Sequence, residues 1–213
     1  MCARAGGNTS IAARSPLTGR LFMEGLIASP DKKEPKMETM EKCCWKGNIG
    51  QLLDMDRKEF MSAMLKGAKN LLPGPVETSQ RKSWRDEFKV LKYDTFGSFK
   101  KSELERWRNL EIVFEMELPN RKRPDAVIFA RNMVVVLEFK RMEKDFDGFI
   151  KQVKSYCRSL RRLESLGKNR KVKGILIYTK MEKCHDIAKV QVCSKDRLSS
   201  ALQHLLGGYP VKE

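Results

Sequence analysis

The 213-residue chain has only two histidines, His185 and His204, and no Gly-x-x-x-x-Gly-Lys loop. The first scarcity leaves too little material for a histidine-rich metal site or a histidine-based nucleophile pair; the second argues against a nucleotide-driven motor. No apolar run is long enough to span a bilayer, and the N-terminus lacks the apolar core of a secretory signal. The six cysteines, Cys2, Cys43, Cys44, Cys157, Cys184 and Cys193, include no C-x-x-C pair. They are too few for a disulfide scaffold and poorly spaced for a cluster, so a reducing compartment is expected. Acid is scarce too: 27 Asp and Glu against 43 Lys and Arg leave a formal charge of +16 at pH 7, with a pI near 9.7. A surface of that sign concentrates polyanions, nucleic acid before anionic membrane.

What is present divides the chain into three. Residues 1–46 mix Gly, Ser, Pro and charge without periodicity and read as a disordered or leader segment. Arg4, Arg14 and Arg20, with no acid among residues 1–23, weakly imitate a mitochondrial transit peptide. The expected location is cytoplasmic, with mitochondrial as the alternative. Residues 47–80 read as a helical extension and linker: Leu52, Leu53, Phe60, Met64, Leu65 and Ala68 recur at helical spacing until Pro73-Gly74-Pro75 stops them.

Residues 81–213 hold the expected domain. Trp84, Phe88 and Leu91 mark a helix from near Ser83, and Ser102 with Glu105 suggests a capping box for another. Alternation over 110–118 predicts a strand with Ile112, Phe114, Met116 and Leu118 on one face and Glu111, Val113, Glu115 and Glu117 on the other. Two strands follow at 124–130 and 133–140, the second apolar enough to lie centrally in a covered sheet. A helix from Asp145 to about Leu166, a strand at 172–179 and a helix at 195–206 complete the reading. The order predicts an α/β fold with a mixed sheet between helices.

A short turn at Arg131-Asn132 makes the two strands an antiparallel hairpin and sets Asp125 opposite Glu138. Directly opposed side chains stand about 4.5–5.5 Å apart at Cβ, so two carboxylates there repel unless a cation lies between them. Lys140 shares their face by the strand period of two. Hard oxygen donors of this kind suit Mg²⁺ or Mn²⁺, which would acidify a water and neutralise a phosphoryl group while Lys140 orients the water or offsets charge. The plainer alternative is a turn aspartate and an exposed Glu-x-Lys ion pair.

Pro124-Asp125, then Glu138-Phe139-Lys140 closing an apolar strand, then a helix carrying Gln152-Val153-Lys154-Ser155-Tyr156, resembles the PD-(D/E)xK nuclease superfamily. The Gln-x-x-x-Tyr spacing is similar to that of its RecB-like branch. The resemblance covers about residues 83–180. It implies a restriction-endonuclease-like core of order αβββαβ and hydrolysis of DNA phosphodiesters with Mg²⁺ or Mn²⁺. By the same resemblance Asp125, Glu138 and the Phe139 carbonyl hold the metal and Lys140 is the catalytic lysine. Gln152 and Tyr156 lie beside them, and a further acid comes from Glu87 or its rival Glu115. Lys151, Lys154, Arg158, Arg161 and Arg162 recur at three- to four-residue steps and are expected to contact phosphates. The rival readings are a catalytically idle nucleic-acid-binding module and an accessory partner of a helicase.

Overall fold

The computed structural model describes residues 42–141, 145–163, 166, 170–180, 185–187 and 190–207. The segment 1–41 with Cys2, as well as Cys184, lies outside the described residues. Seven strands form one mixed sheet in the order β1-β2-β3-β4-β5-β7-β6. They are β1 (Trp45–Asn48), β2 (Glu111–Phe114), β3 (Ala126–Phe129), β4 (Met133–Lys140), β5 (Lys171–Tyr178), β6 (His185–Ile187) and β7 (Val190–Ser194). The first four strands pair antiparallel; β4 and β5, and β5 and β7, pair parallel. Helices cover both faces, an α/β architecture in three layers.

β4 shows why the sheet is covered twice. Along it Val135 and Leu137 enter one apolar cluster while Val134 and Val136 enter the other, all fully buried. The first cluster lies under α1 (Ile49–Asp54), α2 (Arg57–Leu71), α3 (Thr78–Lys89), α4 (Lys101–Trp107) and α6 (Leu198–Leu206). The second lies under α5 (Phe146–Arg161), whose Ile150, Val153, Cys157 and Leu160 fall at helical spacing. The predicted helix over 195–206 is a 3₁₀ turn, Lys195–Arg197, followed by α6.

Residues 45–71, set apart in the sequence as the end of a lead-in and an extension, contribute to this core. β1 pairs with β2 from Trp45 opposite Phe114 to Asn48 opposite Glu111. The apolar stretch after it forms two helices, α2 being opened by Asp56, which accepts from Lys58 N and Glu59 N while Glu59 caps Asp56 N in return. Phe60 on α2 stacks on Phe88 of α3, ring centroids 4.6 Å apart, which fixes the helix that overlies the hairpin end.

Two local expectations change. The capping acid of α4 is Glu103, which accepts from Lys100 N, and not Glu105. The predicted strand 110–118 ends at Phe114, because Glu115 adopts φ 50°. That left-handed residue breaks the alternation. Ile112 and Phe114 face the first cluster as expected, but Met116 and Leu118 join Val113 in the second.

Candidate active site

The turn at Arg131-Asn132 closes with Ala130 and Met133 exchanging main-chain hydrogen bonds, and the register runs from Phe129 opposite Val134 to Ala126 opposite Leu137. One step past that ladder, Asp125 and Glu138 stand where the sequence puts them. The Phe139 N–H donates to Asp125 Oδ2 at 2.6 Å, tying the aspartate to the end of β4. Glu138 is 1% exposed, and its Oε1 accepts from Lys140 Nζ at 2.6 Å and from Gln152 Nε2 at 3.0 Å. Gln152 Nε2 also contacts Tyr156 Oη. The Lys140 ammonium lies 4.9 Å from the Phe149 ring centroid, so α5 contributes three side chains to this end of the sheet.

Glu138 Oε2 is buried with no hydrogen-bond partner among the described residues, and so is Glu87 Oε2 on α3. Glu87 Oε1 accepts from Ser83 Oγ at 2.7 Å. Its rival Glu115 is fully engaged: Oε1 takes Gln80 Nε2 and Trp84 Nε1, and Oε2 takes Arg123 Nε. A carboxylate with three donors tethers the β2 end to α3; a buried carboxylate with a vacant oxygen is the better cation donor. Of the two candidates the geometry therefore favours Glu87.

The carboxylates push one another. Burial, then the charges of Glu138, Glu87 and Glu115, raise Asp125 well above the usual carboxylate range. Burial also raises Glu138, against the pull of Lys140, and pushes Glu87 up to about 8 despite the Ser83 hydrogen bond. Desolvation acts to lower Lys140, but Glu138, Asp125 and Glu87 outweigh it and hold the ammonium above its ordinary value. Burial and the Glu138 charge raise the Tyr156 hydroxyl, which stays protonated as a donor.

Among the described residues no three His, Cys, Asp or Glu side chains form a group that could hold a metal ion. Glu87 approaches from the opposite helical layer and makes no hydrogen bond to the Asp125–Glu138 pair; it meets Phe139 and Lys140 across a cavity of about 230 Å³. Asp125 and Glu138 do not line that cavity, so a cation at the hairpin end would rest on these two carboxylates and the Phe139 carbonyl, with Glu87 outside the set. Two carboxylates plus water and substrate oxygens are within the usual complement of Mg²⁺. The hard donors and the vacant buried oxygen of Glu138 fit such an ion.

The cationic ridge on α5 lies elsewhere. At about 100° per residue, Lys151, Lys154, Arg158, Arg161 and Arg162 occupy an arc centred roughly 150° from Gln152 and Tyr156. Arg161 is committed besides, donating Nη2 to Val172 O at 2.7 Å. Besides Lys140, the cations that border the cavity beside Glu87 are Lys82 and Arg141. A lone lysine on an amphipathic helix carries no signal in sequence; the place of Lys82 beside Glu87 emerges once α3 lies over the hairpin. Among the described residues no helix is long and apolar enough to cross a membrane. Comparisons with family models, with curated proteins and with solved structures returned no match to this chain.

Proposed function

We propose that the chain is a restriction-endonuclease-like, metal-dependent nuclease that hydrolyses DNA phosphodiester bonds at the Asp125–Glu138–Lys140 cluster. The observation that carries the reading is Glu138 itself: a buried carboxylate with one oxygen shared by Lys140 and Gln152 and the other without a side-chain partner among the described residues, opposite a second acid in the same hairpin. A structural ion pair has no use for that second acid, since like charges so placed cost stability.

In this reading Asp125 and Glu138 would hold Mg²⁺ or Mn²⁺ with the Phe139 carbonyl, and Glu87, from the opposite layer, would act through the water around the ion. The bound ion supplies a water of lowered pKa and neutralises charge on the phosphoryl group. Lys140, kept as an ammonium by its three acidic neighbours, stabilises the negative charge that develops on the phosphoryl oxygens and orients the attacking water by donating to it. Gln152 fixes Glu138 Oε1 and donates the same Nε2 to Tyr156 Oη, whose own proton is left to offer to substrate. Water oxygen joins phosphorus, the bond to the 3′ oxygen breaks, and that oxygen takes up a proton, leaving a 3′-hydroxyl and a 5′-phosphate. The excess of basic residues supports DNA as the partner. A cytoplasmic setting, with mitochondrial as the alternative, belongs to the same proposal.

A second reading, an idle nucleic-acid-binding module, draws on the lack of a three-acid group among the described residues. Side-by-side digestion of linear, circular and single-stranded DNA separates the two. Cleavage with Mg²⁺ or Mn²⁺, none with EDTA, and loss of at least about 100-fold in Asp125→Asn are expected. DNA retained but uncut in both metals would favour the idle module.

A further inference from the structure

We propose that a groove along α3 seats single-stranded nucleic acid, with one unpaired base stacked on Tyr93 and the backbone held by Arg57, Lys82, Arg85 and Lys89. The proposal rests on the nuclease reading and names the form of strand presented to its carboxylates. A cavity of about 600 Å³ is lined by these four cations, one acid, Asp86, and the rings of Phe88 and Tyr93. It shares Lys82 and Asp86 with the smaller cavity that holds Glu87 and Lys140, so the two adjoin. The sharing follows from spacing: Lys82, Asp86 and Lys89 fall within about 60° on one face of α3.

Charge and ring both point to a strand. Among the described residues none of the four cations has a carboxylate within ion-pair distance, although Asp86 lies among them. Arg85 donates Nε to the Arg81 carbonyl at 3.3 Å and keeps its other donors; cations without a carboxylate partner around a concavity suit a chain of phosphates. Tyr93 is 56% exposed and is the exposed large apolar side chain among the described residues. Phe88 meets it edge to face at 6.3 Å, and Lys92, which is itself tied to the Met55 carbonyl, lies 5.5 Å from its centroid. The ring is therefore held in place while much of it faces solvent. It belongs to a π-helical turn, Val90–Thr95, a form that is rare and recurs at functional sites. Phosphate contacts alone would need no aromatic ring; a base freed from its partner gains from one. Along the helix axis Tyr93 lies about 9 Å from Glu87, roughly two to three nucleotides of a stacked strand.

The test uses the full chain in EDTA, so that cutting does not intervene, and reads fluorescence anisotropy of labelled oligothymidylate and of an abasic oligomer of equal length. Tyr93→Ala should weaken the base-bearing strand by roughly 5- to 150-fold and leave the abasic one unchanged, with Tyr93→Trp restoring binding. Arg85→Ala with Lys89→Ala should weaken both and flatten the logarithmic salt slope by about 0.7 for each phosphate left without its cation. Thermal melts check that the exposed substitutions leave the fold intact. Equal binding of both oligomers, indifference to Tyr93, or equal competition by blunt duplex would overturn the seat, as would binding of labelled polyglutamate by a chain that binds no oligothymidylate. Tyr93-dependent binding by a chain that cuts no DNA in Mg²⁺ would sustain the seat and sink the nuclease; cutting with Tyr93-independent binding would do the reverse.

Discussion

At Glu138 two side-chain donors converge on one oxygen while the other is buried without a side-chain donor among the described residues, so its charge leans on Lys140 and Gln152. Lys140→Met should therefore destabilise the metal-free chain by about 3–5 kcal/mol, the penalty for stranding a buried charge, and the double variant with Glu138→Gln should recover most of it. Chemical denaturation of the four proteins measures the coupling; additive losses would refute it. Glu87 offers a pH test. Its pKa rises from an ordinary 4.5 to about 8 on folding, so the protonated form is favoured in the native state. The stability this contributes is complete below about pH 4.5 and is lost as pH rises through about 8. Glu87→Gln stays neutral and keeps it, so in EDTA the melting temperature of the variant should climb above wild type across that interval. A constant difference would show that Glu87 does not titrate this way. Asp125 opposite Glu138 was legible because a two-residue turn leaves the register no freedom. Glu115 was not, since nothing in its neighbours announces a left-handed backbone at a glutamate.

Among the elements, β4 was readable to the residue: a continuous apolar run ending in Glu-Phe-Lys admits few other placements. The strands that escape such a reading are β1, β6 and β7. β1 carries Lys46 and Gly47 and β6 is three residues long, so neither offers a pattern above its surroundings, while in β7 the apolar alternation is confined to Val190 and Val192. The α5 ridge teaches the converse. Its five cations share a helix with Gln152 and Tyr156, but a shared helix is not a shared face, and the wheel turns them away. What sets the position of α5 is its seat on β5, where Gly174 lies beneath Val153 and Cys157. A Cβ at Gly174 would stand 2.3 Å from Val153 Cγ1. Gly174→Ala should therefore lift the helix, cost about 1–3 kcal/mol and loosen the hydrogen bond from Gln152 to Glu138, lowering cleavage more than DNA binding. Unchanged melting would mean the interface has room to spare.

For the whole molecule, the α/β class and the succession of the central elements along the chain could be read from periodicity, whereas the order of strands in the sheet and the N-terminal limit of the fold could not. A lysine-rich start without periodicity resembles a tail, and only pairing with a strand far along the chain reveals β1 as sheet. That distance matters to a ribosome. Trp45–Asn48 emerges about 65 residues before Glu111–Phe114, so at roughly 5–20 residues per second the nascent segment waits on the order of 3–13 s with no neighbour to accept its main-chain hydrogen bonds. Arrested chains released before residue 110 should leave this segment open to protease, and chains extended beyond β3 should protect it. The partner that closes this edge of the sheet is set by translation, and chaperones that shield unpaired backbone have their opening in that interval.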